Sequence, residues 1–518
     1  MKKLIALMLA LLMLVGMVAC GAKEPAEEPA ADTPATDAPA TDAPATDAPA
    51  EEPADEPAEE PAEEREHVTL KFFARCNEQP DQDTVFAAFN EYCEEKLNTT
   101  VEWNFLGGTF SDKVAVMINS GEPYDAVWTS NWQNDYATNV ARGAYVDITD
   151  MLADYPELYA SMPEGFWEAT KIGGRIYAVP CQQIAARTPA MTTVKEYVDA
   201  MGWTREDLAA CHDYLDFEEY IQFAYDNYGA KAIPLEEASM DLYCGYEFLN
   251  GQTSAVAIKN DDPTCTVVNF YATPEFKAMC EEMAYLYGKG LLEPMTFNDV
   301  DFKRAELVAG RVSVYGGGTF KPGGEIEDGN TYGLPIYQTP HDTPLMTTGG
   351  IIATMWSIST TSEHPDRALE VLAMLSTDAY PMQLISWGIE GTHYTVNDEG
   401  CMVLAENTGF NPSQSWAMGN VFLTLPLDGQ PVDVWPETAE VNASAMVSNL
   451  IGFNPDISSV EAEVTNVTNT FEQYKMVASG SLPVEETIAE FNEKLVAAGI
   501  DTLIAEMQAQ VDAFLASK

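Results

Sequence analysis

Residues able to do chemistry are common in this chain, but none has the spacing of a catalytic or metal site. After Cys20, the eight other cysteines lie at least fifteen positions apart and the five histidines are scattered, so no zinc or redox motif is predicted. The 82 acidic residues offer too many carboxylate pairs to select any two. No G-x-S-x-G, H-E-x-x-H or Asp-x-Asp-x-Asp-Gly pattern occurs. The sequence therefore predicts no enzyme, no metal and no cofactor.

Aromatic rings beside amides, hydroxyls and glycines indicate binding rather than reaction. The predicted site comprises Asn77, Glu78, Trp128, Ser130, Asn131, Trp132, Gln182, Gln183, Tyr243, Tyr246, Gly317, Thr319, Phe320, Trp356, Trp387, Glu390, His393 and Tyr394. Rings pack on apolar ligand faces, and the polar groups supply hydrogen bonds. Structural alternatives stay open: the tryptophans can belong to the core, the glutamines to the solvated surface and the glycines to an ordinary turn.

The elements that would position these residues alternate between strands and helices. Strands are predicted over residues 68–73, 100–105 and 124–128, and a helix over residues 113–120. Another helix presents Val85, Phe86, Phe89, Cys93 and Leu97 on one face. In an open α/β sheet, ligands bind beyond the carboxyl ends of the strands. Residues 77–78 and 129–132 fall at such ends.

The N-terminus predicts a secretory signal over residues 1–19. Lys2 and Lys3 precede sixteen uncharged residues, which are fewer than the roughly 20 needed to span a bilayer. The run ends in Met-Val-Ala before Cys20 and so resembles a lipobox, in which the cysteine is acylated. An uncleaved signal anchor is the alternative. The resemblance implies a protein lipid-anchored on the extracellular side of the cell membrane.

A spacer is predicted over residues 20–66. Residues 21–66 contain nine prolines, no aromatic residue and three copies of Ala-Thr-Asp-Ala-Pro, so this segment has little apolar surface to bury. Sixteen acidic residues against Lys23 and Arg65 make the segment self-repelling. We expect a disordered tether that holds a folded domain away from the membrane.

The folded part is predicted over residues 67–518 and is strongly acidic. The total charge is −56, of which the signal contributes +2 and the linker −14, so −44 remains here. This charge disfavours nucleic acid as a partner, because phosphate binding needs clustered Lys and Arg. The acidity favours a soluble monomer. A chain of this length predicts two lobes rather than one core.

Successive blocks of this part resemble extracellular solute-binding proteins of the family 1 type, which feed ABC importers. The blocks are Ser-Gly-Glu-Pro-Tyr-Asp-Ala-Val-Trp at residues 120–128, Arg-Gly-Ala-Tyr-Val-Asp-Ile-Thr at 142–149, and Ile-Gly-Gly-Arg-Ile-Tyr-Ala-Val-Pro at 172–180. Residues 271–294 and 306–315 extend the likeness. Residues 349–377 and 387–400 resemble the branch that imports complex sugars, and residues 481–518 resemble its C-terminal segment of uncharacterised function.

The resemblance implies an α/β, two-lobe fold of the periplasmic-binding-protein type, with a ligand cleft between lobes joined by crossing strands. Crossings are expected near residues 177–183 and 333–337. The N-terminal lobe is expected to comprise residues 67–180 plus 337–386, and the C-terminal lobe residues 181–336 plus 387–518. The last segment is also predicted to form two helices, because apolar residues recur at helical spacing on both sides of Gly499.

The implied function is capture of an oligosaccharide and its delivery to ABC permease subunits. A sugar presents apolar ring faces and a fringe of hydroxyls, which suits the predicted rings and polar groups. A peptide is the alternative ligand, with Arg75 and Arg187 as the near-cleft cations that would read its termini; these arginines would equally serve an acidic sugar. A secreted glycoside hydrolase is the alternative from another class.

Overall fold

The computed structural model describes residues 65–251, 254–294 and 300–518. The predicted signal, Cys20 and residues 20–64 of the predicted linker lie outside the described residues. Within the described part of the chain, every helix is too short or too polar to cross a bilayer.

Five strands form the sheet of the first lobe. In spatial order they are Thr99–Phe105, Val68–Ala74, Ala126–Thr129, Met355–Ile358 and Val179–Pro180. The first three are parallel, and Met355–Ile358 runs antiparallel to both of its neighbours. Alternate side chains of Val68–Ala74 are buried, as the period of a strand requires. The three predicted strands are confirmed, and the carboxyl ends of Val68–Ala74 and Ala126–Thr129 lie side by side.

Helix Gln82–Leu97 covers part of this sheet. It buries Val85, Phe89 and Cys93, and Phe86 and Leu97 pack partly buried against the same core, so the predicted apolar face is confirmed. The other helices on this side of the molecule are Phe110–Ser120, Tyr136–Ala141, Pro156–Ala160, Glu164–Ala169, Thr348–Ile351, Pro365–Thr377 and Ala379–Trp387.

The second lobe contains two three-stranded sheets. The first has the order Val314–Gly317, Ala190–Val194, Ile336–Pro340, and the second has the order Val268–Asn269, Val256–Lys259, Tyr246–Phe248. All of these neighbours are antiparallel. The helices around them are Lys195–Met201, Arg205–Ala209, Glu218–Tyr228, Met240–Tyr243, Pro274–Gly288, Val300–Val308 and Gly324–Tyr332.

Three short strands join the lobes. Leu345–Met346 pairs antiparallel with Ala186–Arg187 and parallel with Met446–Val447. The chain leaves the first core after Ala186 and enters the second core at Met191. This crossing lies later than predicted, because Val179–Pro180 pairs with Met355–Ile358 in the first sheet.

The segment after helix Ala379–Trp387 returns to the first lobe instead of continuing into the second. Phe410, Ala417 and Met418 pack in the first core, and Leu450 is the next residue of the second core. The hairpin Tyr394–Val396 with Met402–Leu404 and helix Val434–Ser444 belong to this excursion. These positions would move the predicted lobe boundary from residue 386 to the region of residues 446–450.

The C-terminal segment completes the second core. Helices Glu461–Tyr474, Val484–Ala498 and Ile500–Ser517 bury Phe471, Phe491 and Met507 among other residues. Gly499 separates the last two helices with a φ of 97°, a conformation that glycine adopts at no steric cost. The two predicted terminal helices are therefore present, and their apolar faces are core.

Candidate ligand-binding site

A cavity of about 710 Å³ lies between the two lobes. The first lobe contributes Asn131, Tyr136, Thr138, Thr347, Thr348 and Gly349, and the second contributes Asp241, Glu247, Phe248, Asn250, Phe453, Asn454 and Ser458. Arg187, in the first crossing strand, also lines the cavity. Its walls therefore mix aromatic rings with amides, hydroxyls and carboxyl groups, and its size falls in the range of ligand pockets.

Two buried carboxyl groups stand out in the second-lobe wall. Asp241 accepts a hydrogen bond from the Phe248 backbone N–H at 3.3 Å, while its other oxygen is enclosed without a partner. Glu247 accepts a hydrogen bond from the Ser448 hydroxyl, just beyond the third crossing strand. Burial raises the pKa of Asp241 to about 6, although nearby Arg187 opposes that rise. Burial, aided by the charge of Asp241, raises the pKa of Glu247 to about 7. Both groups can donate as well as accept hydrogen bonds when protonated.

Asn131 anchors the first-lobe wall. Its amide Nδ2 donates to the Gly349 carbonyl at 3.1 Å, and its Oδ1 is enclosed without a donor. Trp132, the next residue, donates from Nε1 to the Ala353 carbonyl at 2.8 Å. The segment at residues 347–353 therefore supports both the cavity wall and the neighbouring tryptophan.

Three tryptophan rings surround one arginine beside Asn131. We call Arg75, Trp128, Trp132 and Trp416 the arginine–tryptophan cluster. The guanidinium carbon lies 5.3, 4.6 and 5.0 Å from the ring centroids of Trp128, Trp132 and Trp416. The cluster forms because Arg75 follows Val68–Ala74 and the first two tryptophans flank the end of Ala126–Thr129, so the parallel strands deliver them to one edge.

Comparison with known families decides what kind of cleft this is. Residues 79–380, more than half of the 518-residue chain, match the bacterial extracellular solute-binding protein family. The chain belongs to this family. Residues 449–516 match a domain of unknown function (DUF3502). The resemblance predicted from the sequence is thereby confirmed, and the C-terminal domain begins earlier than the predicted residue 481.

Individual relatives of this solute-binding protein agree with that assignment. A Streptococcus pneumoniae serotype 4 protein described as a carbohydrate ABC transporter substrate-binding protein is 25% identical over 467 residues, which cover 85% of this chain and 90% of that one. The crystal structure of the N-glycan transport solute binding protein NgtS from S. pneumoniae has a TM-score of 0.76 at 20% identity, covering 86% of this chain and 99% of that one.

A solute-binding protein from Bifidobacterium longum infantis, described as binding HMO, matches with a TM-score of 0.60 at 14% identity, covering 87% of this chain and 99% of that one. These solved structures confirm the two-lobe α/β fold predicted from the sequence.

In this solute-binding protein, Asn131 is the predicted residue that lines the cavity, and Trp132 follows it directly in the chain. Trp132 keeps 39% of its surface exposed within the arginine–tryptophan cluster. Trp416 is half-buried in the same cluster. These three positions stay candidates for ligand contact.

Four predicted residues of the first lobe are structural instead. Trp128 has no exposed surface and donates from Nε1 to the Thr354 hydroxyl at 2.9 Å, so its ring is core. Trp356 lies opposite it in the sheet and is also buried. Ser130 accepts backbone N–H bonds from Trp132 and Gln133, which shapes the turn. Gln182 is buried and donates to Ser161 at 3.2 Å.

Tyr243 and Tyr246 belong to the second core rather than to the cleft. The Tyr243 hydroxyl donates to Glu282 at 2.8 Å, and its ring stacks on His341 with centroids 4.1 Å apart. The Tyr246 hydroxyl donates to Glu275 at 3.0 Å. Both rings are buried and neither lines the cavity, so a stacking role toward a ligand has no support in this structure.

Gly317, a predicted site residue, packs against the Glu236 side chain and does not line the cavity. A Cβ at Gly317 would lie 2.4 Å from the Glu236 side chain, whose Oε2 accepts the Gly318 N–H at 2.8 Å. Thr319 and Phe320 follow it half-buried, and the Phe320 N–H donates to the Thr188 carbonyl at 2.9 Å.

The residues predicted between Trp387 and Tyr394 lie apart from the cavity. Trp387 and Tyr394 form a separate small core with Met402 and Leu427. The buried His393 accepts the Ile389 N–H at 2.9 Å and thereby holds a turn, and Glu390 is exposed. None of the four lines the cavity.

Asn77, Glu78 and Gln183 have neither a core role nor a place in the cavity wall. Asn77 and Glu78 are exposed just beyond the first strand, and the half-buried Gln183 accepts a hydrogen bond from Asn442 at 2.8 Å through its carbonyl. They stay predictions.

Sequence reasoning missed most of the second-lobe wall. Asp241 and Glu247 are two acidic residues among 82, and Phe248 and Asn454 carry no motif. The one available signal was Glu247 itself, an acidic residue within the otherwise apolar strand Tyr246–Phe248. Among the described residues, no group of three or more His, Cys, Asp or Glu side chains could hold a metal ion.

Proposed function

We propose that this protein captures an oligosaccharide outside the cell and delivers it to the permease subunits of an ABC importer. The observation that carries the proposal is the cavity between the lobes of a chain that belongs to the extracellular solute-binding family. A ligand held by walls from both lobes stabilises their closed arrangement, because it contributes contacts only when the walls meet.

The chemistry of the walls suits a sugar. Phe248 and Ile457 are half-buried and offer apolar surface, while Thr138, Asn250 and Asn454 offer hydroxyl and amide partners. A pyranose ring needs this combination, since its faces are apolar and its edges carry hydroxyls. The carbohydrate and N-glycan names of the pneumococcal relatives support the same ligand class.

We further propose that the mature chain begins at an acylated Cys20 and is a monomer tethered to the extracellular face of the membrane. The proposal rests on the residue pattern before Cys20, the proline-rich spacer and the net charge of the mature chain, which is −58 once the +2 of the signal is subtracted from −56 and which opposes self-association.

A binding screen tests the proposal. The mature protein is heated with neutral and acidic oligosaccharides and with tri- to pentapeptides, because a ligand at 100 times its Kd stabilises the native state by about 2.7 kcal/mol. We expect a rise in Tm with at least one oligosaccharide, contraction in solution scattering, and recovery of the ligand chemically intact by mass spectrometry. A rise with peptides alone would favour a peptide importer, and a cleaved sugar would favour a hydrolase.

A further inference from the structure

Arg75 is a cation without an anionic partner in a chain dominated by carboxylates. The protein has 82 acidic residues against 26 Lys and Arg. Arg175, Arg205 and Arg311 all pair with carboxylates, as most arginines in such a chain would. Arg75, in contrast, makes no ion pair and no hydrogen bond with any residue in the described ranges, so its charge is available to something else.

The surroundings of Arg75 raise the cost of leaving it unpaired. Its Nε is enclosed without an acceptor. Burial lowers the pKa of Arg75 from its ordinary value. Three tryptophan rings compensate in part, because a guanidinium over a ring face is attracted by the negative face of the ring. The terminal nitrogens, unlike Nε, are not fully enclosed.

The position of Arg75 points to the ligand. It lies one residue beyond the first strand, at the sheet edge where Trp132 is 39% exposed and Asn131 enters the cavity wall. The Trp132 and Trp416 rings stand 6.5 Å apart with planes tilted by 35°, and the guanidinium carbon lies 4.6 and 5.0 Å from their centroids. A planar guanidinium group whose orientation is set by ring contacts can bind a carboxylate through two parallel hydrogen bonds with little loss of side-chain entropy.

We propose that Arg75 binds a carboxylate of the ligand, so that this protein selects acidic oligosaccharides. The inference rests on the proposed function and narrows its ligand class. The cavity itself disfavours an anion, because Asp135, Asp241, Glu247, Asp456 and Glu461 line it against only Arg142 and Arg187. An acidic sugar therefore binds with its carboxylate at Arg75 and a neutral unit in the cavity.

The test compares oligosaccharides that differ only in charge. Tri-galacturonate, tri-mannuronate, a hyaluronan tetrasaccharide and sialyllactose are titrated calorimetrically beside their methyl esters, together with neutral maltotriose, mannotriose and chitotriose. We expect at least one acid to bind about 10- to 100-fold more tightly than its ester, the range for charged hydrogen bonds. The preference should shrink with added salt, because the interaction is between charges.

Variants assign the preference to Arg75. Arg75→Gln should abolish the difference between acid and ester, while Arg75→Lys should keep part of it through charge alone. Arg311→Gln is the matched control, because it removes an exposed arginine that pairs with Glu306 in the second lobe. Melting temperatures establish that each variant is folded. If Arg75→Gln does not fold, the reduced preference for the acid in Arg75→Lys tests the role of Arg75.

The outcomes separate this inference from the proposed function. Binding of neutral sugars alone, equal binding of acid and ester, or a preference that survives in Arg75→Gln would overturn the inference and leave oligosaccharide capture standing. Failure of every sugar, acidic and neutral, to bind would overturn both.

Discussion

Trp128 and Trp132 lie four positions apart and have opposite environments. Trp128 is fully enclosed, whereas 39% of Trp132 is exposed beside the cavity. Arg75 covers one side of the Trp132 ring, and the exposed part is free to pack on a sugar. The pair therefore offers a direct comparison between a ring that stabilises the fold and a ring that we expect to bind the ligand.

We expect Trp132→Ala to weaken ligand binding at least about thirtyfold, since truncating an anchor aromatic commonly costs 2 kcal/mol or more. Trp128→Ala is the control and should lower the free energy of unfolding by about 3 to 5 kcal/mol, because it empties a core position. Calorimetric Kd values and urea unfolding of both variants provide the measurement. A Trp132→Ala protein with unchanged affinity and a large loss of stability would remove this ring from the site.

A second prediction concerns the buried Glu247. Its folded pKa is about 7, above that of an unfolded glutamate, so the folded state loses stability as the pH rises from about 4.5 to 7. Glu247→Gln removes the charge and should stabilise the protein by about 2 to 3 kcal/mol at pH 8. At pH 4.5 the variant and the parent should unfold alike.

Unfolding by urea at both pH values checks the prediction. Glu218→Gln is the comparison, because the Glu218 carboxylate pairs with Lys289 at the surface and has a lowered pKa. That variant should not become more stable at pH 8. Equal stability of Glu247→Gln and the parent at pH 8 would mean that the Glu247 carboxylate is solvated in the folded protein.

At the scale of residues, the sequence predicted which residues follow a strand end more successfully than it predicted which side chains are buried. Asn131 and Trp132 could be predicted to lie beyond the carboxyl end of a strand, because the apolar residues before them show where that strand ends. Trp128 and Trp356 could not be separated from them, because ring type is the same in a core and in a cleft. Asp241 and Glu247 differ from the other acidic residues because they are buried in the cavity wall. Their burial arises from packing between segments that are distant in the sequence, so the sequence did not reveal it.

At the scale of elements, long periodic segments were predicted and very short ones were not. Helices Gln82–Leu97, Val484–Ala498 and Ile500–Ser517 repeat their apolar residues over several turns, so their faces could be read from the sequence. The crossing strands Ala186–Arg187 and Met446–Val447 are two residues long and show no period. Their position depends on pairing with Leu345–Met346, which lies more than 100 residues away from either of them.

The contact between Gly480 and helix Pro274–Gly288 yields a third prediction. A Cβ at Gly480 would lie 2.3 Å from the Met283 backbone carbon, and the glycine has a φ of 72°. Gly480→Ala should therefore lower the free energy of unfolding by about 2 to 4 kcal/mol, through overpacking and backbone strain.

Gly288→Ala is the matched control on the contacted helix. A Cβ there would meet nothing within 4 Å, so stability should stay the same or rise by up to about 1 kcal/mol. Denaturant unfolding of both variants is the measurement. A Gly480→Ala protein as stable as the parent would show that the C-terminal segment can move away from this helix at little cost.

At the scale of the whole molecule, anchoring gives the fourth prediction. Cys20→Ser removes the thiol that acylation requires, so the protein should leave the membrane fraction or keep its signal segment. Cell fractionation and intact mass measure both results. Cys401→Ser, which changes a buried cysteine of the folded part, is the control and should stay with the membrane. Unchanged fractionation and mass in Cys20→Ser would contradict lipidation.

The internal place of Met355–Ile358, the fourth of five strands in the first sheet, governs how the chain assembles while it is being made. Its neighbours Ala126–Thr129 and Val179–Pro180 do not touch each other in the sheet, so the position between them stays vacant until residue 358 has emerged. By then most of the second lobe has also emerged, yet that lobe still lacks its C-terminal helices. The first sheet therefore has unpaired strand edges while part of the second core is still uncovered, and a chain stalled near residue 340 should be a substrate for proteases and holding chaperones.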